Sequence, residues 1–146
     1  MAKKDTEGFS DAERAAMKER AAELRAAGKR TGGKKAEAEA KACSDTIAGM
    51  PDAERAIGEK LHEIVGKVAP DLAAKTWYGM PAWHRDGKVV VFFKHASKFS
   101  MRYSEVGFQE EAQLDDGPIW PTVFAVTKMT PAVAKQLTEV IKRAAG

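Results

Sequence analysis

The chain has 146 residues, which is long enough for one domain with a buried core and too short for a second independent domain. Its 24 Lys and Arg against 21 Asp and Glu leave a net charge of +3, which permits weak polyanion contact but argues against nucleic acid as the primary partner. A single cysteine, Cys43, excludes an intrachain disulfide and fits a reducing compartment. The longest apolar run, Val89 to Phe93, is far below the ~20 residues that cross a bilayer. Because no signal peptide is visible either, we expect a cytoplasmic protein with no membrane partner.

The N-terminal segment predicts a helix that docks weakly. Ser10 stands three residues before Glu13, which is the signature of a capping box, and strong helix formers continue to Gly28. The apolar stripe of this helix is mostly alanine, which buries little area. A basic linker containing Gly32 and Gly33 follows and turns back into helix. We therefore divide the chain into a helix and linker, residues 1–42, and a folded domain, residues 43–146.

Residues 51–70 predict a core helix. Apolar side chains recur at helical spacing from Ile57 to Val68, and Pro70 prevents continuation. At the other end of the domain, Thr130 and Pro131 are a cap and first residue for a closing helix with one apolar face. The two helices supply one layer of the domain.

Between these helices the sequence predicts strands. Asp86-Gly87 lies between apolar runs and indicates a two-residue hairpin. Residues 98–104 alternate apolar and polar side chains and predict the next strand. Residues 119–129 predict a last strand, in which Pro121 indicates a start at an edge of the sheet or with a bulge. Strands joined by hairpins and flanked by helices indicate an α+β fold with an antiparallel sheet packed against helices.

The segment APDLAAKTWYGMPAWHRDGKVVVFFKHASKF, with the helices on either side, resembles the YdhG-like domain family. The features that carry the resemblance are a helix, the Tyr-Gly-Met-Pro run at residues 78–81, and a strand that ends in a lysine before a short loop. It covers roughly residues 43 to 146 and implies the same α+β fold. Most members have no assigned function, and some are described as frataxin-like iron chaperones, so the resemblance implies iron as a candidate partner.

The strand register decides which residues face outwards. An Asp86-Gly87 turn pairs Trp83 with Val90. A three-residue loop at 96–98 then pairs Phe93 with Met101 and puts the Val91 and Phe93 face in the core. A two-residue loop makes the opposite face the core. We favour the first register, which leaves Trp83, Phe92, Lys94, Ser100 and Arg102 together on a partly open face.

That open face predicts a site for a small anionic ligand. Lys94 and Arg102 supply donors for a carboxylate or phosphate, and aromatic side chains supply flat apolar walls. The alternative is that these side chains only complete the core or cover its rim. The predicted ligand-binding residues are Tyr78, Met80, Trp83, Phe92, Lys94, Arg102 and Trp120.

Catalytic and metal motifs are missing from the sequence. Glu59 and His62 form one Glu-x-x-His pair where a di-iron bundle needs two, and the acidic loop 105–116 lacks the spacing of a tight calcium loop. Cys43 has no neighbouring histidine, and there is no G-x-S-x-G turn or phosphate-binding loop. We predict no catalytic residues, no metal ligands and no identifiable cofactor.

The sequence therefore favours a non-enzymatic module that binds a small ligand or carries a metal, with the ligand on the sheet face around the Tyr-Gly-Met-Pro run. The alternative is a nucleic-acid or protein interaction module that uses the basic N-terminal arm, residues Lys3, Lys4, Lys29, Arg30, Lys34 and Lys35.

Overall fold

A computed structural model describes residues 8–29 and 32–146 of the chain. Within these residues the helices are α1 (Asp11–Lys29), α2 (Gly32–Ala48), α3 (Asp52–Val68), α4 (Ala96–Phe99) and α5 (Pro131–Ala145). The strands are β1 (Ala73–Trp77), β2 (Met80–Arg85), β3 (Lys88–Lys94), β4 (Ser104–Phe108) and β5 (Val123–Val126). The strands form one antiparallel sheet in the order β1-β2-β3-β4-β5, so the predicted α+β fold is confirmed.

Two tight turns of the same kind build the first half of the sheet. Tyr78 and Gly79 join β1 to β2 with φ of 54° and 74°. Asp86 and Gly87 join β2 to β3 with φ of 52° and 82°. Two consecutive positive φ values define a type I′ turn, whose twist matches that of the flanking strands. The predicted Asp-Gly hairpin is therefore confirmed.

A β-bulge interrupts the pairing of β2 with β3. Trp83 pairs with Val91 and His84 pairs with Val89, so Val90 has no residue opposite it. We predicted that Trp83 pairs with Val90, and this register is wrong by one residue. The turn fixes the pairing only as far as the bulge, where β3 contains one extra residue.

The bulge determines which side chains enter the core. Directly opposite residues share a face of the sheet, so Trp83 lies on the same face as Val91 and Phe93. All three are buried, with at most 1% of their surface exposed. This is the core face, and the prediction that Val91 and Phe93 are packed is confirmed. Phe92 and Lys94 lie on the opposite, open face, again as predicted, but Trp83 does not join them.

Three helices cover the core face. The buried side chains of α3 and α5 lie in one apolar cluster with those of the sheet, and the second half of α2 joins the same cluster. The helical members of the cluster include Cys43, Ile47, Ile57, Leu61, Ile64, Val65, Leu137 and Ile141. Both core helices begin and end as the sequence predicts: α3 stops before Pro70, and the Thr130 hydroxyl accepts a hydrogen bond from the Val133 amide at 3.2 Å.

The third strand is not where we predicted it. Residues 96–99 form a single helical turn, α4, which ends at Ser100 in a left-handed conformation with φ of 53°. The strand that pairs with β3 starts only at Ser104, whose hydroxyl accepts a hydrogen bond from the Ala96 amide at 3.0 Å. The prediction of a strand over residues 98–104 is therefore wrong, because the connection is a helical turn rather than a short hairpin loop.

The consequence is a change of partner along β3. Phe93 pairs with Val106 and Val91 pairs with Phe108, in place of the predicted Met101 and Tyr103. Val106 and Phe108 are five residues further along the chain and also alternate with polar or small residues. The last strand, β5, is shorter than predicted, but it does form an edge of the sheet.

The N-terminal segment contains more regular structure than predicted. The capping box of α1 is present, since the Glu13 amide donates to the Ser10 hydroxyl at 3.1 Å and the Glu13 carboxylate accepts from the Ser10 amide at 3.0 Å. Helix α2 begins at Gly32, where we expected a linker. The boundary that we proposed between residues 42 and 43 therefore falls inside α2. None of the helices in the described part of the chain is long and apolar enough to cross a membrane.

We expect replacement of Trp83 by alanine to destabilise the fold by about 3 to 5 kcal/mol, since a large buried side chain is removed from the core. The indole nitrogen also donates to His62 Nδ1 at 3.3 Å. Urea unfolding followed by circular dichroism measures this loss. Trp77→Ala is the matched control, with a smaller expected loss because Trp77 is only half-buried. An unchanged midpoint for Trp83→Ala would contradict the placement of Trp83 in the core.

Candidate functional site

A cavity of about 390 Å³, open to solvent on one side, lies between the open face of the sheet and α1. Helix α1 crosses this face near β1 and contributes mainly small or flexible side chains. Ala16 is its one fully buried residue among the described side chains of α1. Because alanine does not fill the space above the sheet, a gap remains between the helix and the strands. The lining residues are Phe9, Glu13, Ala16, Met17, Trp77, Tyr78, Met80, Phe92, Lys94, Phe99 and Glu105.

Aromatic rings form the walls of the cavity. Trp77 lies at the end of β1, with its ring centroid 5.1 Å from that of Tyr78 and 5.5 Å from that of Phe92. Phe99, from α4, is a further aromatic residue of the lining. Centroid separations of this size are typical of interacting aromatic pairs, so the rings support one another and are held in place without a ligand.

Phe92 owes its position to Gly107. The two residues are directly opposite each other in β3 and β4, and the Phe92 ring lies over the backbone of Gly107. A Cβ atom at Gly107 would lie 2.1 Å from the ring, well inside van der Waals contact. Only glycine allows the ring to lie against the sheet here.

Lys94 is the cation of the cavity. It is half-buried, and its Nζ lies 5.1 Å from the centroid of Phe99. Glu105 is opposite Lys94 on the neighbouring strand. Among the side chains that the structure describes, Lys94 has no ion pair within 4.0 Å. Two carboxylates of the same lining, Glu13 and Glu105, offset part of its charge, and its ammonium group makes a cation–π contact with Phe99. Because neither carboxylate lies within ion-pair distance, the ammonium group remains available to a bound anion.

Two carboxylates attach α1 to the open face. The Glu23 carboxylate accepts hydrogen bonds from the amides of Tyr78 and Gly79, at 3.1 and 3.2 Å. The Glu19 carboxylate accepts from Lys98 Nζ at 2.6 Å. The left-handed conformation of the β1–β2 turn directs both amides towards the helix, and that conformation costs free energy for a side chain as bulky as Tyr78. Glu23 thus stabilises a strained turn and positions one wall of the cavity at the same time.

The cavity contains four of the seven residues predicted from the sequence, namely Tyr78, Met80, Phe92 and Lys94. The other three lie elsewhere. Trp83 is in the core, on the far side of the sheet. Arg102 is exposed beyond the end of β3, with its guanidinium carbon 5.0 Å from the centroid of Tyr103. Trp120 lies in the loop before β5 and lines a different depression.

The sequence interpretation missed residues on both sides of the cavity. Trp77 and Phe99 complete the aromatic walls, and Glu105 adds a carboxylate. Trp77 directly precedes the Tyr-Gly-Met-Pro run, so its position in the sequence could have placed it in the predicted site. Nothing local indicates Phe99, which reaches the cavity only through the turn of α4, or Met17, which arrives on α1.

The described residues contain no group of three or more His, Cys, Asp and Glu side chains that could hold a metal ion. Glu59 and His62, the one Glu-x-x-His pair, have other partners. Glu59 forms an ion pair with Arg55 at 3.8 Å, and His62 accepts the hydrogen bond from Trp83. The contacts of Glu59 and His62 are therefore accounted for by neighbouring side chains, without a metal ion.

Cys43 is inside the apolar cluster and fully buried. Burial raises the pKa of the Cys43 thiol to about 11, since the thiolate would lose its hydration. At neutral pH the residue is a protonated thiol and not an activated nucleophile.

Replacing Glu23 by glutamine should weaken the attachment of α1, because the charge-assisted acceptor of two amides is lost. We expect the unfolding free energy to fall by about 1 kcal/mol and the melting temperature by about 2 to 4 °C. Amide hydrogen exchange should become faster at Tyr78 and Gly79. Glu37→Gln, an exposed change on α2, is the matched control. Unaltered exchange at the two turn amides would show that Glu23 does not hold them in solution.

Cys43 should react with a thiol reagent only when the protein unfolds. Because folding raises its pKa, its contribution to stability is complete below the ordinary thiol pKa and is lost as the pH rises towards about 11. Labelling with Ellman's reagent at about pH 8 should therefore be slow in buffer and fast in urea. Rapid labelling of the folded protein would place the thiol at an accessible surface.

The comparisons with known proteins leave the site to be interpreted from its geometry. A scan against protein-family models, a search of curated proteins and a search of solved structures each found no match to this chain.

Proposed function

We propose that this protein is a non-enzymatic binding module for a small planar molecule that carries a carboxylate, held between α1 and the open face of the sheet. The observation that carries this proposal is the combination of an aromatic-walled cavity with a lysine that has no ion pair among the described side chains. The cavity volume of about 390 Å³ falls in the ordinary range for small-molecule sites.

The walls favour a flat ligand. Trp77, Phe92 and Phe99 present ring faces or edges to the same space, and Met17 and Met80 provide adaptable apolar contacts. A planar molecule gains contact area here without displacing hydrogen-bonded groups, because most of the lining is apolar. A compact, strongly hydrated ion would gain little from the same walls.

Lys94 and Glu105 restrict the charge of the ligand. A carboxylate next to Lys94 would form a charge-assisted hydrogen bond, which is stronger than a neutral one. Glu105, which is opposite Lys94, and Glu13, which also lines the cavity, repel a second negative charge. The site therefore favours a monoanion, and a ligand with a hydrogen-bond donor beside its carboxylate would satisfy both residues.

The resemblance to the YdhG-like family supports the choice of this segment, since Tyr78 and Met80 of the Tyr-Gly-Met-Pro run are part of the cavity lining. Membership of that family stays a prediction. Iron has no supporting ligand set within the described residues. Of the basic arm invoked for nucleic acid, Lys3, Lys4 and Arg30 lie outside the described residues, as does the side chain of Lys29.

The proposal predicts that 2-naphthoate binds more tightly than its neutral analogue 2-naphthamide, and that Lys94→Met removes this difference. Loss of one charge-assisted hydrogen bond of about 1.5 to 3 kcal/mol corresponds to a roughly tenfold to hundredfold increase in Kd for the naphthoate. Isothermal titration calorimetry or ligand-observed NMR measures the four affinities. Glu105→Gln should strengthen naphthoate binding, because a repelling charge is removed.

Arg102→Met is the matched control, since it removes a cation outside the cavity and should leave both affinities unchanged. Melting temperatures of all variants separate a binding effect from a folding effect. Equal binding of naphthoate and naphthamide by the parent protein would refute the anchoring role of Lys94. No binding of either compound at millimolar concentration would refute the planar-ligand proposal itself.

A further inference from the structure

A second lysine on the open face is buried outside the Lys94 cavity. Lys75, in β1, is only 9% exposed. Its Nζ donates one long hydrogen bond, 3.4 Å, to the carbonyl of Gly87. Within the part of the chain whose side chains are described, it has no ion pair within 4.0 Å. A buried ammonium group with so little compensation calls for an explanation.

Lys75 also borders open space. On one side is a cavity of about 360 Å³ between α1, α2 and β1, whose lining includes two cations, Arg20 and Lys35, and two carboxylates, Glu23 and Glu39. On the other side is a depression of about 260 Å³ beside the β2–β3 turn. The amine is thus shielded from bulk water by its neighbours and yet adjacent to space that a small molecule could fill.

Charged residues surround Lys75 on both sides, and Lys88, Glu110 and Glu111 line the depression beside the β2–β3 turn. Arg20 and Glu23 face it from α1, Lys35 and Glu39 from α2, and His84 from β2. Glu23 has other partners, because it accepts from the β1–β2 turn and pairs with Arg20 at 3.6 Å. Glu39 lies 3.7 Å from His84 Nε2, which makes no hydrogen bond within the described residues, so Glu39 is the carboxylate that offsets the charge of Lys75 most directly.

These surroundings make the ammonium form of Lys75 less favourable than it is in water. Burial lowers the pKa of Lys75, and Arg20 lowers it further, against the opposing effect of the two carboxylates. Burial, followed by the charge of Lys75, also lowers the pKa of His84. A lysine desolvated next to another cation is the usual form of a nucleophilic amine.

We propose that Lys75 captures a small aldehyde that carries an acidic group by forming an imine with it. The nitrogen lone pair attacks the carbonyl carbon, and the new C–N bond replaces the C=O bond. Both amine protons end on the departing oxygen, which leaves as water, so the step needs no oxidant or reductant. Lys35, which has no ion pair among the described side chains, holds the acidic group of the aldehyde in the α1–α2 cavity, together with Arg20, which also pairs with Glu23 at 3.6 Å.

The test is reductive trapping on the full chain. The protein is treated briefly with glyoxylate, an aldehyde with a carboxylate, in the presence of cyanoborohydride, and modified lysines are located by peptide mass spectrometry. Propionaldehyde, which lacks the acidic group, is the comparison reagent. Lys88, whose side chain is 70% exposed, is the internal reference.

We expect Lys75 to be modified by glyoxylate faster than Lys88, although it is much less exposed. For each lysine we compare the rate of modification by glyoxylate with the rate by propionaldehyde. This ratio should be about ten times larger for Lys75 than for Lys88, which is the effect expected of one charge-assisted contact. Lys35→Gln should reduce that preference. As the pH is lowered, modification of Lys75 should persist longer than that of Lys88, because an amine with a lowered pKa keeps its lone pair.

Modification of Lys75 only after unfolding in urea would overturn the proposal, since the amine would then be buried without access. Equal modification by both aldehydes would refute the acidic ligand class. Binding of naphthoate at Lys94 is measured separately on the same protein, so failure at one lysine is distinguishable from failure at the other. Lys75→Arg, which keeps the positive charge, should lose the labelled peptide and retain naphthoate binding.

Discussion

The extra residue in β3 is the constraint on which the arrangement of this molecule depends. With Val90 unpaired, Trp83 turns to the same side as Val91 and Phe93, and the core gains its largest side chain. The same shift leaves Phe92 on the other side without an indole beside it from β2. A bulge therefore divides the aromatic residues of this small sheet between a packed face and a face that retains space. Fold stability and the candidate site are two results of one local irregularity.

The helices on the two faces of the sheet are held by different kinds of contact. Helices α3 and α5 hold their side through branched apolar side chains, whereas α1 is attached through carboxylates that accept from a turn and from Lys98. Polar attachment at one edge leaves the middle of the interface unfilled, and this explains how a cavity coexists with a docked helix. It also links helix position to the conformation of Tyr78, because the strained turn and the carboxylate of Glu23 stabilise each other.

Local patterns predicted the parts of this fold that local chemistry controls. The capping box at Ser10, the Asp86-Gly87 turn, the limits of α3 and the Thr130 cap each depend on residues close in sequence, and the structure contains all of them. The errors concern pairing between distant segments. Neither the bulge at Val90 nor the turn of α4 has a sequence signature. The bulge shifts the pairing of β2 with β3, and the turn of α4 shifts the pairing of β3 with β4. Arg102 and Trp83 were assigned to the site through those registers, while Tyr78, Met80, Phe92 and Lys94 needed only their own strands and one turn.

Gly107 controls the depth of the cavity because it has no side chain. The Phe92 ring occupies the place that a side chain at residue 107 would take, so the depth of the cavity is set by one missing carbon atom. An alanine there would lift the ring towards α1 and narrow the slot without altering any polar group. The space above the Phe92 ring is thus limited from β4 by a residue that lies behind the ring and outside the cavity lining. The depth of the cavity and its charge thus depend on two neighbouring pairs across β3 and β4, Phe92 with Gly107 and Lys94 with Glu105.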